Sequence, residues 1–208
     1  IIVPAYNEEV NILRTISNLL EQDYPVFDII FVDDGSKDNT LKNVQEKFSD
    51  TPAVHILTHP NGGKASALNF GISHTDADYV VCIDADTQLR KDAISKLIRH
   101  FLSDHSHRIG AVAGNVKVGN VRNMLTYWQN IEYTTSQNFD RMAYSNINAI
   151  TVVPGAIGAF RREAILHAGG FTTDTLAEDC DLTMRIIEKG YVIENENEAV
   201  ALTEAPER

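Results

Sequence analysis

Asp84 and Asp86 are the residues of this chain whose type and spacing most directly suggest chemistry. They close the run Tyr79-Val80-Val81-Cys82-Ile83-Asp84-Ala85-Asp86, an apolar, β-branched stretch that reads as a buried strand delivering two acids to a sheet's edge. In an extended chain residues i and i+2 point the same way, so both carboxylates are expected to face one small volume. Two adjacent like charges there would each raise the other's pKa unless a cation sat between them. A hard divalent ion relieves that repulsion, and Mg²⁺ takes one or two carboxylates and completes its shell with substrate phosphates and water. The pair therefore points to a metal and a phosphorylated ligand. Asp-x-Asp is short, and two solvated acids in a turn explain it equally well by itself.

The elements that would position this pair alternate. Ile1 to Val3 is a strand running into the polar loop Pro4 to Glu9, and Val10, Leu13, Ile16, Leu19 and Leu20 then recur at helical spacing. Asp28 to Val32 is a second buried strand closed by Asp33-Asp34-Gly35-Ser36. A helix carrying Leu41, Val44 and Phe48 follows, with cap candidates in Asp38 to Thr40. Val54 to Leu57 is a third strand, Pro60 to Gly63 a turn, and Lys64 to Ile72 a helix. After the strand at Tyr79 come a helix with Ile94, Leu97, Ile98 and Phe101 and a strand at Ala111 to Val116. Such alternation indicates an α/β fold with a mostly parallel, doubly wound sheet flanked by helices. Ligands bind beyond the carboxyl ends of the strands in these sheets, where Tyr6 to Glu8, Asp33 to Ser36 and Asp84 to Asp86 all fall.

The alternation breaks after Gly119. Val121 to Asn146, with Leu125, Trp128, Ile131, Tyr133, Phe139 and Tyr144, reads as one or two amphipathic helices over the sheet edge, its aromatics serving the core or stacking on a sugar. Ile150 to Pro154 is expected to be a strand, Gly155 to Gly158 a tight turn, and Ala159 to Arg162 the start of a helix ended by Gly169 and Gly170. Leu176 to Asp181 opens another helix stopped by Gly190, where Asp179 or Asp181 would serve equally as capping acids. Tyr191 to Ile193 and Ala199 to Thr203 read as two late edge strands.

Composition narrows the class. With 208 residues the chain suits one domain that buries a sizeable core. A net charge of −11 argues against a nucleic-acid partner, which would need clustered Lys and Arg. Cys82 and Cys180 make no Cys-x-x-Cys and no zinc spacing, so reduced thiols are expected. No run of about 18 apolar residues occurs that would span a bilayer. A start inside a strand, without Met, suggests a domain excised from a longer protein. A dinucleotide-binding Gly-x-Gly-x-x-Gly is absent after the first strand, and Gly63-Lys64-Ala65 fails as a P-loop end because Thr58 and Ala65 stand where Gly and a hydroxyl are required. There is no Gly-x-Ser-x-Gly elbow either.

Val3-Pro4-Ala5-Tyr6-Asn7-Glu8, Val32-Asp33-Asp34-Gly35-Ser36, Gly63-Lys64-Ala65, Asp84-Ala85-Asp86, Pro154 to Arg161 and Ala177-Glu178-Asp179 occur in one order. With them the chain resembles glycosyltransferase family 2, inverting enzymes of GT-A fold. Leu176 to Thr183 is most similar to the processive membrane synthases, above all the poly-β-1,6-N-acetylglucosamine synthase type.

That resemblance implies a single GT-A domain over residues 1–208, with a nucleotide-sugar-binding half at 1–118 and a smaller acceptor and catalytic-base half at 119–208. It implies a UDP-sugar donor, UDP-N-acetylglucosamine by analogy, a glycan acceptor, a Mg²⁺ or Mn²⁺ cofactor, and attachment through membrane segments outside this chain, at the cytoplasmic face. Pro4, Tyr6 and Glu8 would border uracil and ribose, and Asp33 or Asp34 would accept from the uracil imide. Lys64 would meet the uracil edge or a phosphate, and Asp84 would lie near ribose and metal. Asp86 would ligate the metal, Gly155 would floor the acceptor pocket, and Arg161 would belong to the substrate site. Asp179 would be the base, with Glu178 or Asp181 positioning it or capping the helix. Relatives carry a downstream Gln-x-x-Arg-Trp that is absent before Arg208. The other readings are a non-processive family 2 transferase acting on a lipid or glycan, and a nucleotide-sugar-binding module that has lost catalysis.

Overall fold

The computed structural model describes residues 1–25, 27–119, 150–175 and 177–203. In chain order these form β1 (Ile2–Ala5), α1 (Ile12–Leu20), β2 (Ile29–Asp33), α2 (Thr40–Phe48), β3 (Val54–Thr58), α3 (Lys64–Ser73), β4 (Tyr79–Cys82), β5 (Gln88–Leu89), α4 (Ala93–Ser103), β6 (Ile109–Val118), β7 (Gly158–Arg161), α5 (Arg162–Ala168), α6 (Glu178–Glu188) and β8 (Val192–Thr203). The helices expected within Val121 to Asn146 lie outside the described residues, as does Leu176.

One sheet carries the strands in the order β3-β2-β1-β4-β7-β6-β8-β5. The first four run parallel, β7 is antiparallel to both β4 and β6, and β8 returns parallel to β6. The expected mostly parallel α/β sheet is thus observed. Strands β1 and β2 are buried along their whole length, which is why they read as continuous apolar runs. Alternate residues build two cores: Val3, Phe31, Val81 and Val112 pack under α1, α2 and α4, while Ile2, Val32, Val80 and Ala111 pack under α3, α5 and α6. In register, Ala5 faces Asp33, Asp33 faces Thr58, and Ile2 faces Cys82. The carboxyl ends of β1 to β4 therefore finish along one edge, and the polar loops leave together.

Several elements differ from expectation. Strand β4 stops at Cys82, and Asp84 to Thr87 is a turn closed by the Thr87 N–H to the Asp84 carbonyl at 3.1 Å. Helix α1 starts at Ile12 and buries Ile12, Thr15, Ile16 and Leu19, leaving Val10 85% exposed. Ile150 to Pro154 is not a strand; β7 is, and its helix begins only at Arg162. A Gly-Ala-Phe-Arg run has little strand propensity of its own, and pairing on both sides decides it. The two late strands are one interior strand, β8, between β6 and the two-residue β5. Its polar middle is accommodated by a bulge between Glu196 and Val200. There the buried Glu196 accepts from Arg99 Nη2 at 2.6 Å, pairs with His100 Nε2 at 3.0 Å and takes the Glu198 N–H at 2.9 Å.

Candidate active site

The loops after β1 and β2 hold each other. Asn7 sits at φ 57°, in the left-handed region that Asn tolerates better than most side chains. From there its N–H donates to Ser36 Oγ at 3.0 Å and its Oδ1 accepts the Lys37 N–H at 2.8 Å. The Glu8 N–H donates to Thr40 Oγ1 at 2.7 Å, and that hydroxyl donates on to Asp38 Oδ1 at 2.5 Å. Tyr6 and Glu8 are thereby presented on a cross-braced edge. Sequence reasoning missed Asn7 and Thr40 in this role, although an Asn after a strand is a recognisable candidate for φ > 0.

The next loop is fixed by Asp34. Its Oδ1 accepts the Gly62 N–H and its Oδ2 the Gly63 N–H, each at 2.9 Å, while its carbonyl accepts from Asn61 Nδ2 at 2.9 Å. Gly63 adopts φ 85°, where a β-carbon would be strained, and launches α3 so that Lys64 is its first residue. The Lys64 ammonium bonds Asp84 Oδ1 and lies 3.9 Å from Glu178 Oε1. A Cβ on Gly155 would stand 2.5 Å from Lys64 Nζ, so any side chain there would push the ammonium from its present position.

Two clefts result. One, of about 320 Å³, is lined by Pro4, Tyr6, Glu8, Asp34, Lys64, Asp84 and Asp86. The other, of about 200 Å³, is lined by Lys64, Asp84, Pro154, Gly155, Asp179 and Thr203, among others. Lys64 and Asp84 belong to both. Asp84 and Asp86 do meet in one volume, but a turn and not an extended strand brings them there.

Charge in the first cleft is unbalanced. Burial, reinforced by the neighbouring Asp84, holds the Asp86 pKa above the usual aspartate range. Burial also raises Glu8, with Asp86, Asp38 and Asp84 adding to the effect against a bond from Asn11. Desolvation alone would lower Lys64, yet Asp84, followed by Glu178 and Asp179, holds it above the ordinary lysine value. Cys82, beneath this edge, is buried and its thiol is pushed up to about 12, an inert core residue.

Three acids open α6, and their surroundings separate them. Asp181 Oδ2 accepts from Thr172 Oγ1 and, at 2.6 Å, from Arg185 Nη2, and Arg185 first, then Thr172, hold its pKa down. Glu178 faces Lys64, and Asp179 faces the second cleft. Thr183, fully buried, donates to the Asp179 carbonyl at 2.6 Å and accepts the Val153 N–H at 3.0 Å. It ties the helix's first turn to the loop that carries Pro154 and Gly155. A hydroxyl within a helix gave no signal of this.

Two of the residues assigned to substrate binding, Asp33 and Arg161, line neither cleft. Asp33 is buried behind the first cleft's lining, with Oδ2 accepting the Ser36 N–H at 3.3 Å and Oδ1 without a hydrogen-bond partner among the described residues. Arg161 is placed elsewhere. It pairs in register with Tyr79, at the far end of β4 from Asp84, and lines neither cleft. Its Nε donates to the Ile109 carbonyl at 3.0 Å, Nη1 meets His107 Nδ1 at 3.1 Å, and Nη2 lies 3.4 Å from Asp104 Oδ2. Its guanidinium also stacks 5.6 Å from the Tyr79 ring and 5.8 Å from Phe101.

The family model for glycosyl transferase family 2 matches residues 1–167. The chain belongs to glycosyltransferase family 2. Among curated proteins, this family 2 domain is 32% identical over 206 residues to the poly-β-1,6-N-acetyl-D-glucosamine synthase of Staphylococcus aureus strain COL, and equally so to that of Staphylococcus epidermidis. The match takes in 99% of this chain and 50% of each relative, so the chain spans half the length of the curated relatives it matches. Among solved structures, the mannosyltransferase PcManGT of Pyrobaculum calidifontis, in complex with GDP-Man and Mn²⁺, superposes with a TM-score of 0.81 at 29% identity, covering 100% of this chain and 56% of that one. S. aureus TarS 1-349 in complex with UDP-GlcNAc has the same fold, with a TM-score of 0.76 at 21% identity over 100% of this chain and 58% of its own. The sheet and its flanking helices are those of the GT-A fold.

Proposed function

We propose that this domain transfers a sugar, N-acetylglucosamine, from its UDP donor to the hydroxyl of a growing β-linked glycan, inverting the anomeric centre. The carrying observation is the pair of clefts joined at Lys64 and Asp84, with Glu8 and Asp86 on one side and Asp179 on the other. A diphosphate entering the first cleft meets Glu8, Asp34, Asp84 and Asp86 against a single ammonium among its described lining residues, and needs added positive charge.

The donor set suits a divalent ion. Two neighbouring carboxylates, one of them raised by burial and by the other's charge, are what a Mg²⁺ or Mn²⁺ ion shared with a diphosphate requires. No group of three His, Cys, Asp or Glu side chains is gathered as a closed metal cage among the described residues, which agrees with an ion that completes its shell from the substrate. Asp84 and Asp86 would hold it, and when bound it neutralises, as a Lewis acid, the charge that develops on the departing diphosphate.

The remaining work falls to side chains. Tyr6 and Glu8 flank the nucleoside, and Asp33 or Asp34 accepts from the uracil imide. Gly155 lets the acceptor sugar approach the backbone. Asp179 takes the proton of the attacking hydroxyl as its oxygen bonds the anomeric carbon and the bond to the UDP oxygen breaks. Glu178 steadies Lys64 beside it. No covalent nucleophile is needed, and an α-linked donor gives a β-linked product. The S. aureus relative's name supports N-acetylglucosamine, and the Mn²⁺ in PcManGT supports the ion. The domain would act at the cytoplasmic face of a longer membrane protein; among the described residues no helix is long and apolar enough to cross a bilayer.

Calorimetry with UDP-sugars, with and without Mn²⁺, tests this on the chain, on Asp86→Ala and on Asp179→Asn. Asp86→Ala should lose the metal-dependent part of UDP binding. Asp179→Asn should keep UDP affinity while transfer in the intact parent falls by about 10²-fold or more. UDP binding indifferent to both Mn²⁺ and Asp86 would discard the ion's role, and undiminished transfer would discard Asp179.

A further inference from the structure

The two clefts share one cationic side chain, that of Lys64. Lys64 bonds Asp84 Oδ1, has Glu178 Oε1 at 3.9 Å, and its ammonium lies where a Cβ on Gly155 would stand 2.5 Å away. No other Lys or Arg lines either cleft among the described residues. Among the described residues no ion pair joins Lys64 to Asp86, whose carboxylate oxygens accept from Thr87 Oγ1 and Thr203 Oγ1, each at 3.4 Å. Of the acid pair, one member is thus neutralised from within and the other is left for an incoming cation.

We propose that Lys64 is a resident counter-cation. Its ammonium stands beside Asp84 where a divalent ion would act, so that the ion enters with the diphosphate and not ahead of it. The inference rests on the reading of Asp84 and Asp86 as ligands of that ion. An ion arriving alone must break the Lys64–Asp84 contact and leave a half-buried ammonium with Glu178 as its nearest remaining acid. An ion arriving with a nucleoside diphosphate offers the displaced ammonium phosphate oxygens in exchange. Ion and nucleotide then bind with positive coupling, and because coupling is reciprocal each must tighten the other.

Manganese binding without nucleotide, followed by calorimetry or by the electron paramagnetic resonance of free Mn²⁺, tests this without any turnover. Lys64→Met should bind Mn²⁺ about tenfold more tightly than the parent, equivalent to ~1.4 kcal/mol, and should lose most of the coupling between Mn²⁺ and UDP. Gly155→Ala, whose methyl displaces the ammonium without removing its charge, should tighten Mn²⁺ in the same direction by less. Lys42→Met, on an exposed helix face, should change nothing and so exclude a mere net-charge effect. If neither Lys64→Met nor Gly155→Ala binds Mn²⁺ more tightly than the parent, the proposal is overturned. A gain in Lys64→Met that survives the added Asp84→Asn change would instead remove Asp84 as a ligand, and the reading it rests on with it.

Discussion

Replacing Arg161 by Met should unfold the domain more easily and leave its nucleotide binding intact. The Arg161 and Asp104 side chains are each only 6% exposed, and the pair closes the end of the sheet opposite the clefts. Removing one partner of a buried ion pair costs about 3–5 kcal/mol because the other charge stays buried. Asp104 keeps bonds from Ser106 and from the Ile109 N–H at 2.7 Å, which softens that loss. Against this, the Ile109 carbonyl loses its Arg161 donor, a penalty of about 1–3 kcal/mol, and two aromatic faces lose a cation. The lower end of the range, about 3 kcal/mol, is expected, or roughly 6–12 °C in Tm for a domain of this size. Acid sharpens the test. Burial works against the Asp104 carboxylate, but its bonds from Ser106 and Ile109 and the charge of Arg161 hold its pKa below the usual range. A depressed folded value means stability that is present above the unfolded pKa and lost as pH falls through the folded one, and Arg161→Met should show less of that acid loss. Urea unfolding across pH, with UDP calorimetry beside it, is the assay. A variant that melts like the parent but no longer binds UDP would refute the structural role and return Arg161 to the substrate site.

Two further outcomes are expected. Thr183→Val should leave the buried Val153 N–H without a partner, destabilise the domain by about 1–3 kcal/mol, and lower transfer in the intact parent with UDP affinity unchanged, while Thr183→Ser restores both; equal loss in Val and Ser would argue against the hydroxyl. Asp86→Asn should stabilise the metal-free domain near neutrality. Burial raises the Asp86 pKa, so its contribution is present below the ordinary aspartate range and lost as pH rises through the folded value. The advantage of Asn in urea titrations should therefore shrink on acidification, and an advantage constant with pH would contradict the assigned cause.

What the sequence disclosed follows from what is local. Strands β1, β2 and β4 are buried on both faces and announce themselves as apolar runs, so the edge where Tyr6, Asp33 and Asp84 emerge was legible. Strand β7 was not, because Gly158 and Ala159 acquire strand geometry only from partners on either side. In β8 the run from Glu194 to Glu198 disguised an interior strand, since the residues that satisfy Glu196 lie nearly a hundred positions away. The surroundings of Arg161 were hidden for the same reason: its motif neighbours pointed to the substrate, while its observed partners are Asp104, 57 residues earlier, and the Tyr79 and Phe101 rings. Among the acids of α6 the sequence left three candidates, and only the placement of Arg185 and Thr172 withdraws Asp181.

The antiparallel seam between β4 and β7 places Cys82 opposite Gly158 at one end and Tyr79 opposite Arg161 at the other, three residues or roughly 10 Å away. Anchorage and chemistry thus occupy opposite ends of the same short ladder. Changes in the loops that leave its upper end would therefore reshape the candidate clefts while leaving the clamp at its foot untouched.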